Sequence, residues 1–164
     1  MYREYLWSPG RMKWVGKKNP YKGCVFCGIA RDDHRVPKKV LYRDDMLMVI
    51  MNIFPYNVGH LQVVPLRHVE WPEQLTEDEY AHFCAMIKKT MILIKKALNP
   101  VGLNAGMNLG SSSGQSITHL HFQIVPRYSK EVGFMESLMG VKVMPETLDQ
   151  TYKRLMKHID ILKK

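Results

Sequence analysis

His119-Leu120-His121-Phe122-Gln123-Ile124-Val125-Pro126-Arg127 alternates polar and apolar side chains over its first six residues. In an extended strand, neighbouring side chains point to opposite faces. The period of two therefore predicts His119, His121 and Gln123 on one face and Leu120, Phe122 and Ile124 on the other. Two imidazoles and a carboxamide in a row are a poor solution to packing alone. The plain alternative is a half-exposed strand that happens to carry two histidines. Just upstream, Asn108-Leu109-Gly110-Ser111-Ser112-Ser113-Gly114-Gln115-Ser116 is a loop of small residues, rich in backbone N–H and hydroxyl donors. With few bulky side chains in the way, such a loop can wrap an anion closely. An anion-cradling loop that feeds a histidine-bearing strand points to nucleophilic chemistry on a phosphoryl group.

Outward from that strand, the patterning predicts an α+β domain. Val40–Arg43, Leu47–Met51 and Leu61–Pro65 read as strands, the first two joined at Asp44-Asp45. Thr76 and Glu79 have the spacing of a helix-opening capping box, and Tyr80, Phe83, Cys84, Ile87, Met91 and Ile94 continue as one apolar face. Asn99-Pro100 should end that helix. Gly102–Asn108 carries the chain on into the small-residue loop, and Leu148–Leu162 reads as a C-terminal helix. Strand–strand–strand–helix–strand–strand order argues for a mainly antiparallel sheet of about five strands with helices packed on it. His82 and Cys84 lie inside the long helix and read as ordinary helix residues. Residues 1–22 mix aromatic and basic side chains with Pro9, Gly10, Gly16 and Pro20, and read as an extension ahead of a domain spanning 23–164.

Composition narrows the function classes. The 164 residues allow one domain with a real core, and 46% hydrophobic with 24% charged residues is ordinary for a globular protein. No apolar run approaches the roughly 20 residues of a membrane helix, and Met1-Tyr2-Arg3-Glu4-Tyr5 does not open a secretory signal. A cytoplasmic protein is expected. The net charge of +9 favours acidic partners, nucleic acid or a polyphosphate among them. The basic residues occur as scattered pairs such as Lys17-Lys18 and Lys95-Lys96, which read as solvated surface rather than a specific nucleic-acid tract. Cys24 and Cys27 form a C-x-x-C pair, half of a tetrahedral zinc site. A reduced cysteine pair and a redox motif are the alternatives, the latter without the βαβ pattern it needs.

The chain resembles the histidine-triad superfamily of nucleotide-processing enzymes, in the branch that carries Gln in place of the third His. Asn52-Ile53-Phe54-Pro55-Tyr56-Asn57-Val58-Gly59-His60-Leu61-Gln62-Val63-Val64-Pro65 resembles that family's nucleotide-contacting strand-turn-strand. Gly114-Gln115-Ser116 with His119-Leu120-His121 resembles its phosphate loop and active strand. Leu6–Met12, Phe134-Met135 and Lys142-Val143-Met144-Pro145 are similar to diadenosine tetraphosphate phosphorylases and fragile-histidine-triad hydrolases. The likeness runs from about Leu6 to Leu148. It implies the α+β fold of that family, usually as a dimer that extends the sheet.

The resemblance also implies roles. His121 is expected to attack the α-phosphate of a nucleotide and form a covalent nucleotidyl-histidine. His60 is expected behind the active strand, orienting His121. Asn108, Gln115 and Ser116 match phosphate contacts, Asn52 matches the ribose contact, and Ile53 and Phe54 belong with the base. Cys24, Cys27, His68 and His119 match the four ligands of a structural zinc in members that carry one. Magnesium is expected only with the polyphosphate substrate.

Gln123 departs from the common pattern. A carboxamide holds no proton for a leaving group but directs hydrogen bonds. Superfamily members with Gln at this position are transferases. The expected function is therefore cleavage of dinucleoside polyphosphates such as diadenosine tetraphosphate, with AMP passed to inorganic phosphate. The alternatives are a hydrolase giving AMP and ATP, a regulatory nucleotide-binding module, and a nucleic-acid-binding protein.

Overall fold

A computed structural model of the chain describes residues 21–163 except 130, 132 and 140–142. The extension expected over 1–22, apart from Tyr21 and Lys22, lies outside the described residues, as does Lys142. Five strands form one sheet: β1 Val40–Arg43, β2 Leu47–Met51, β3 Leu61–Pro65, β4 Gly102–Gly106 and β5 Phe122–Arg127. Their spatial order is β1-β2-β3-β5-β4, and each neighbouring pair is antiparallel. The helices are α1 Val25–Ala30, α2 Glu77–Leu98, α3 Phe134–Met139, α4 Leu148–Met156 and α5 Asp160–Lys163. None of the described helices is long and apolar enough to cross a membrane.

The sheet separates two apolar clusters, which explains why β2 is apolar throughout. Leu47, Val49 and Met51 face the larger cluster, with Phe83, Met86, Leu93 and Ile94 of α2 and Leu155 of α4. Met48 and Ile50 face the smaller one, with Tyr21, Phe26, Ile29 and Val36. Both faces of β2 are thus covered, and all five of its residues are buried. In β3, Leu61 and Val63 join the larger cluster, while Gln62 points the other way into the pocket described below. The register aligns Ile50 of β2 with Gln62 of β3, and Gln62 with Gln123 of β5. Two carboxamides therefore sit side by side on the face away from α2.

The long helix opens and closes as its sequence predicts. Thr76 Oγ1 accepts the Glu79 N–H at 3.2 Å, and Glu79 accepts the Thr76 N–H at 2.8 Å. Asn99 ends it in the left-handed conformation, φ 50°. Two boundaries differ from the sequence reading. The ladder of β5 begins at Phe122, not at His119. Pro65, at the end of β3, has no N–H to donate, and its carbonyl accepts from the His119 side chain. The Leu120 N–H turns instead to the Val69 carbonyl at 2.7 Å. The C-terminal helix is broken into α4 and α5, because His158 and Ile159 close tighter turns onto the Leu155 and Met156 carbonyls.

Candidate active site

The second face of the sheet, α1 and the small-residue loop enclose one pocket. Phe26, Ile29 and Val36 form an apolar wall, and Asn52, Ile53 and Phe54 come from the turn after β2. Asn108, Gly114, Gln115 and Ser116 supply the loop side, and His121, Gln123 and Gln62 the floor. The structure thus brings together Asn52, Ile53, Asn108, Gln115, Ser116, His121 and Gln123, which lie up to 71 positions apart in sequence. Gly114 has φ +80°, a conformation that an L side chain resists, so the loop can turn here with its backbone bare. No carboxylate lines the pocket among the described residues.

His121 is 6% exposed. Its Nδ1 lies 2.8 Å from the His119 carbonyl oxygen. A carbonyl only accepts, so Nδ1 carries the proton and donates it. The neutral ring then keeps its lone pair on Nε2. Burial lowers the imidazole's pKa, which favours that neutral form, against a smaller opposing effect of the carbonyl. The Phe26 ring packs 5.0 Å away, centroid to centroid. An oriented, uncharged imidazole in a partly apolar pocket is a competent nucleophile for phosphorus.

His60 is buried beside this pocket rather than among its lining residues. Its Nδ1 accepts the Tyr56 N–H at 3.2 Å and faces the Asn52 carboxamide nitrogen at 3.3 Å. Its neutral form therefore carries the proton on Nε2. The Tyr56 ring stacks on it at 5.1 Å. Asn52 is fixed at its other end, where Oδ1 accepts the Phe54 N–H at 2.9 Å. Gly59, at φ +79°, makes this turn fit: a β-carbon there would lie 2.2 Å from Leu98 Cδ1.

Cys24, Cys27, His68 and His119 converge behind His121, with one ligand atom from each within 4.8 Å of the others. Cys24 is the N-cap of α1 and Cys27 lies on its first turn, so the helix sets both sulfurs on one side. His119 donates from Nε2 to the Pro65 carbonyl at 2.8 Å, which leaves the Nδ1 lone pair facing Cys24 Sγ at 3.4 Å and Cys27 Sγ at 3.5 Å. His68 Nδ1 lies 3.3 Å from Cys27 Sγ. Neighbouring ligands on a tetrahedral zinc with bonds of about 2.0–2.3 Å stand roughly 3.5 Å apart, so the donor set and its spacing fit that ion. Burial lowers the His119 pKa to about 4, and burial raises the Cys24 thiol to about 11. His119 is thus uncharged, the form a metal binds.

Sequence reasoning did not single out Gln62 or Lys38, both of which line the pocket. Gln62 was legible as a polar break in the apolar run of β3. Lys38 had no local signal, since it reaches the pocket only through the fold.

The HIT domain family profile matches residues 33–130. Over 161 residues the chain is 35% identical to the AP-4-A phosphorylase of Mycobacterium tuberculosis, covering 92% of this chain and 81% of that one. This chain belongs to the HIT domain family. It is also 27% identical over 125 residues to the adenosine 5'-monophosphoramidase of Schizosaccharomyces pombe, covering 76% of this chain and 90% of that relative. Its HIT fold superposes on a Zn-bound histidine triad family protein from Mycobacterium smegmatis with a TM-score of 0.70, at 24% identity, covering 86% of this chain and 96% of that one. The open five-stranded antiparallel sheet with packed helices is the α+β architecture its patterning predicts, and the HIT fold is the one the resemblance implies.

Proposed function

We propose that this HIT domain protein cleaves dinucleoside polyphosphates, diadenosine tetraphosphate among them, and passes the nucleotidyl group to inorganic phosphate. The observation that carries the reading is the His121 tautomer, with Nδ1 tied to the His119 carbonyl and the Nε2 lone pair left for attack. His121 Nε2 forms a bond to the α-phosphorus of one adenylyl unit, and the bond from that phosphorus to the rest of the polyphosphate breaks, releasing ATP. A phosphate oxygen then attacks the same phosphorus, the N–P bond breaks, and ADP leaves. Backbone N–H groups and side chains of the Asn108–Ser116 loop stabilise charge on the non-bridging oxygens. Asn52 holds the ribose, with Ile53 and the apolar wall against the base. His60 acts as a positioning residue through the Asn52–Tyr56 turn.

Gln123 aligns the incoming anion without supplying a proton, which favours phosphate over water as acceptor. Cys24, Cys27, His68 and His119 would hold a structural zinc, which fixes α1 to the segment carrying His121. Magnesium would arrive with the substrate. Cys24, Cys27 and Cys84 form no disulfide, which suits a reducing cytoplasm, and the partner beyond the nucleotide would be a second copy of the chain.

Product chromatography with diadenosine tetraphosphate, with and without millimolar phosphate, tests this function. ADP and ATP, formed only with phosphate, are expected. AMP and ATP at a rate indifferent to phosphate would leave a hydrolase, and binding without turnover a regulatory module.

A further inference from the structure

On the reading above, the pocket takes one nucleoside against its apolar wall of Phe26, Ile29 and Val36. A dinucleoside polyphosphate carries a second, which must lie outside the pocket at the far end of the phosphate chain. Among the described residues, the exposed aromatic side chains are Tyr56, Trp71, Tyr80 and Phe134. Tyr56 lines the pocket itself, and Tyr80 and Phe134 sit on α2 and α3. Trp71 packs on the small-residue loop. A β-carbon built on Gly110 would touch its Cη2 at 3.5 Å and Cζ2 at 3.7 Å, so the indole edge lies on the loop between Asn108 and Gly114, both of which line the pocket.

The segment that presents this indole is firmly built. Gln74 Oε1 accepts the Glu70 and Trp71 N–H groups at 2.7 and 2.9 Å, and Arg67 Nη2 donates to the Gln74 carbonyl at 2.6 Å. Two residues before Trp71, the Val69 carbonyl accepts the Leu120 N–H, between His119 and His121. A large apolar ring is therefore held 41% exposed, on a segment tied both to the reactive strand and to the loop. The indole presents one amphipathic, rigidly supported face beside the loop, and a flat aromatic group laid on it would bury that face.

We propose that Trp71 is the stacking platform for the second nucleoside of a dinucleoside polyphosphate, the one that departs with the leaving group. Resting on the dinucleoside polyphosphate reading above, this assigns to one residue the selection of two-nucleoside substrates. The phosphate chain would run from His121 along the loop toward Gly110, and the distal base would lie flat on the indole. Stacking requires no base identity, because every base has a π-face.

The test compares diadenosine tetraphosphate with a mono-adenylyl substrate, the p-nitrophenyl ester of AMP, in wild type and in Trp71→Phe, Trp71→Leu and Trp71→Ala. For diadenosine tetraphosphate, Trp71→Ala and Trp71→Leu should raise KM on the order of tenfold at little cost in kcat. Trp71→Phe should keep most of the affinity. The mono-adenylyl ester should be handled equally by all four proteins. Equal losses on both substrates would make Trp71 a structural residue and overturn the proposal, as would unchanged KM values throughout or Trp71→Leu matching Trp71→Phe. A wild type that turns over the ester but not diadenosine tetraphosphate would instead defeat the underlying substrate reading, and the platform with it.

Discussion

One hydrogen bond decides which nitrogen of His121 can react. Because the His119 carbonyl can only accept, Nδ1 is occupied and Nε2 is the remaining lone pair. Replacing His121 by Ala or Asn should therefore abolish turnover by several powers of ten while ATP still binds within a few-fold, since the loop and Asn52 are untouched. Calorimetric titration of the variant beside a single-turnover assay checks both halves. Retention of more than a few per cent of wild-type activity would show that His121 is not the attacker. The order of residues made His121 readable as a candidate. Its tautomer was not, because the carbonyl that fixes it belongs to the same chain but is aimed by the bend at Leu120, whose N–H leaves the sheet for Val69.

At the level of elements, the start of α2 joins local and distant chemistry in one carboxylate. Glu79 closes the capping box with Thr76 and is gripped by Arg67, whose Nε and Nη2 donate to its two oxygens at 3.0 and 2.6 Å. The Arg67 guanidinium, ahead of the Thr76 N–H, draws the Glu79 carboxyl down to about 2 from an ordinary 4.5. A depressed folded pKa stabilises the protein above the unfolded value, and that contribution disappears as pH falls from about 4.5 through about 2. Glu79→Gln keeps a capping side chain but removes the charge. With Arg67 half-exposed and screened, the substitution should cost about 1 kcal/mol or less near neutral pH. Urea titrations at pH 7, 4 and 2 should show the gap to wild type narrowing as pH falls, and a gap that widened would refute the pairing. The capping box was legible at three-residue spacing. Arg67 was not, because nothing in its neighbourhood forecasts a turn that brings it back onto α2.

For the whole molecule, α1 is short, and its packing runs through Phe26 and Ile29 in the smaller cluster. A metal held by Cys24 and Cys27 on one side and His68 and His119 on the other would clamp it to the segment bearing His121. Protein purified without chelators should carry about one zinc per chain, and stripping it should lower Tm by several degrees before the chemistry is lost. Elemental analysis alongside calorimetry of the stripped and reloaded protein checks this. A Tm unchanged by stripping would mean that the four side chains meet without a clamping ion.

Periodicity determined a good deal of this protein before any folding. The three leading strands, both ends of α2 and the antiparallel class follow from local patterns, because side-chain alternation, capping spacing and Asn-Pro termination act within a few residues. The resemblance carried by His119–Gln123, Asn52–Pro65 and the small-residue loop extended that reading to the pocket's residues. The fold alone decided where β5 begins, since Pro65 on a neighbouring strand cannot donate to its ladder. It also set Gln62 beside Gln123, drew Lys38 to the pocket, and laid Trp71 on Gly110. Each of these depends on strands and loops far apart in the chain meeting at a fixed register. Local patterning is blind to such meetings, because a side chain's neighbours in space are chosen by the packing of the whole sheet.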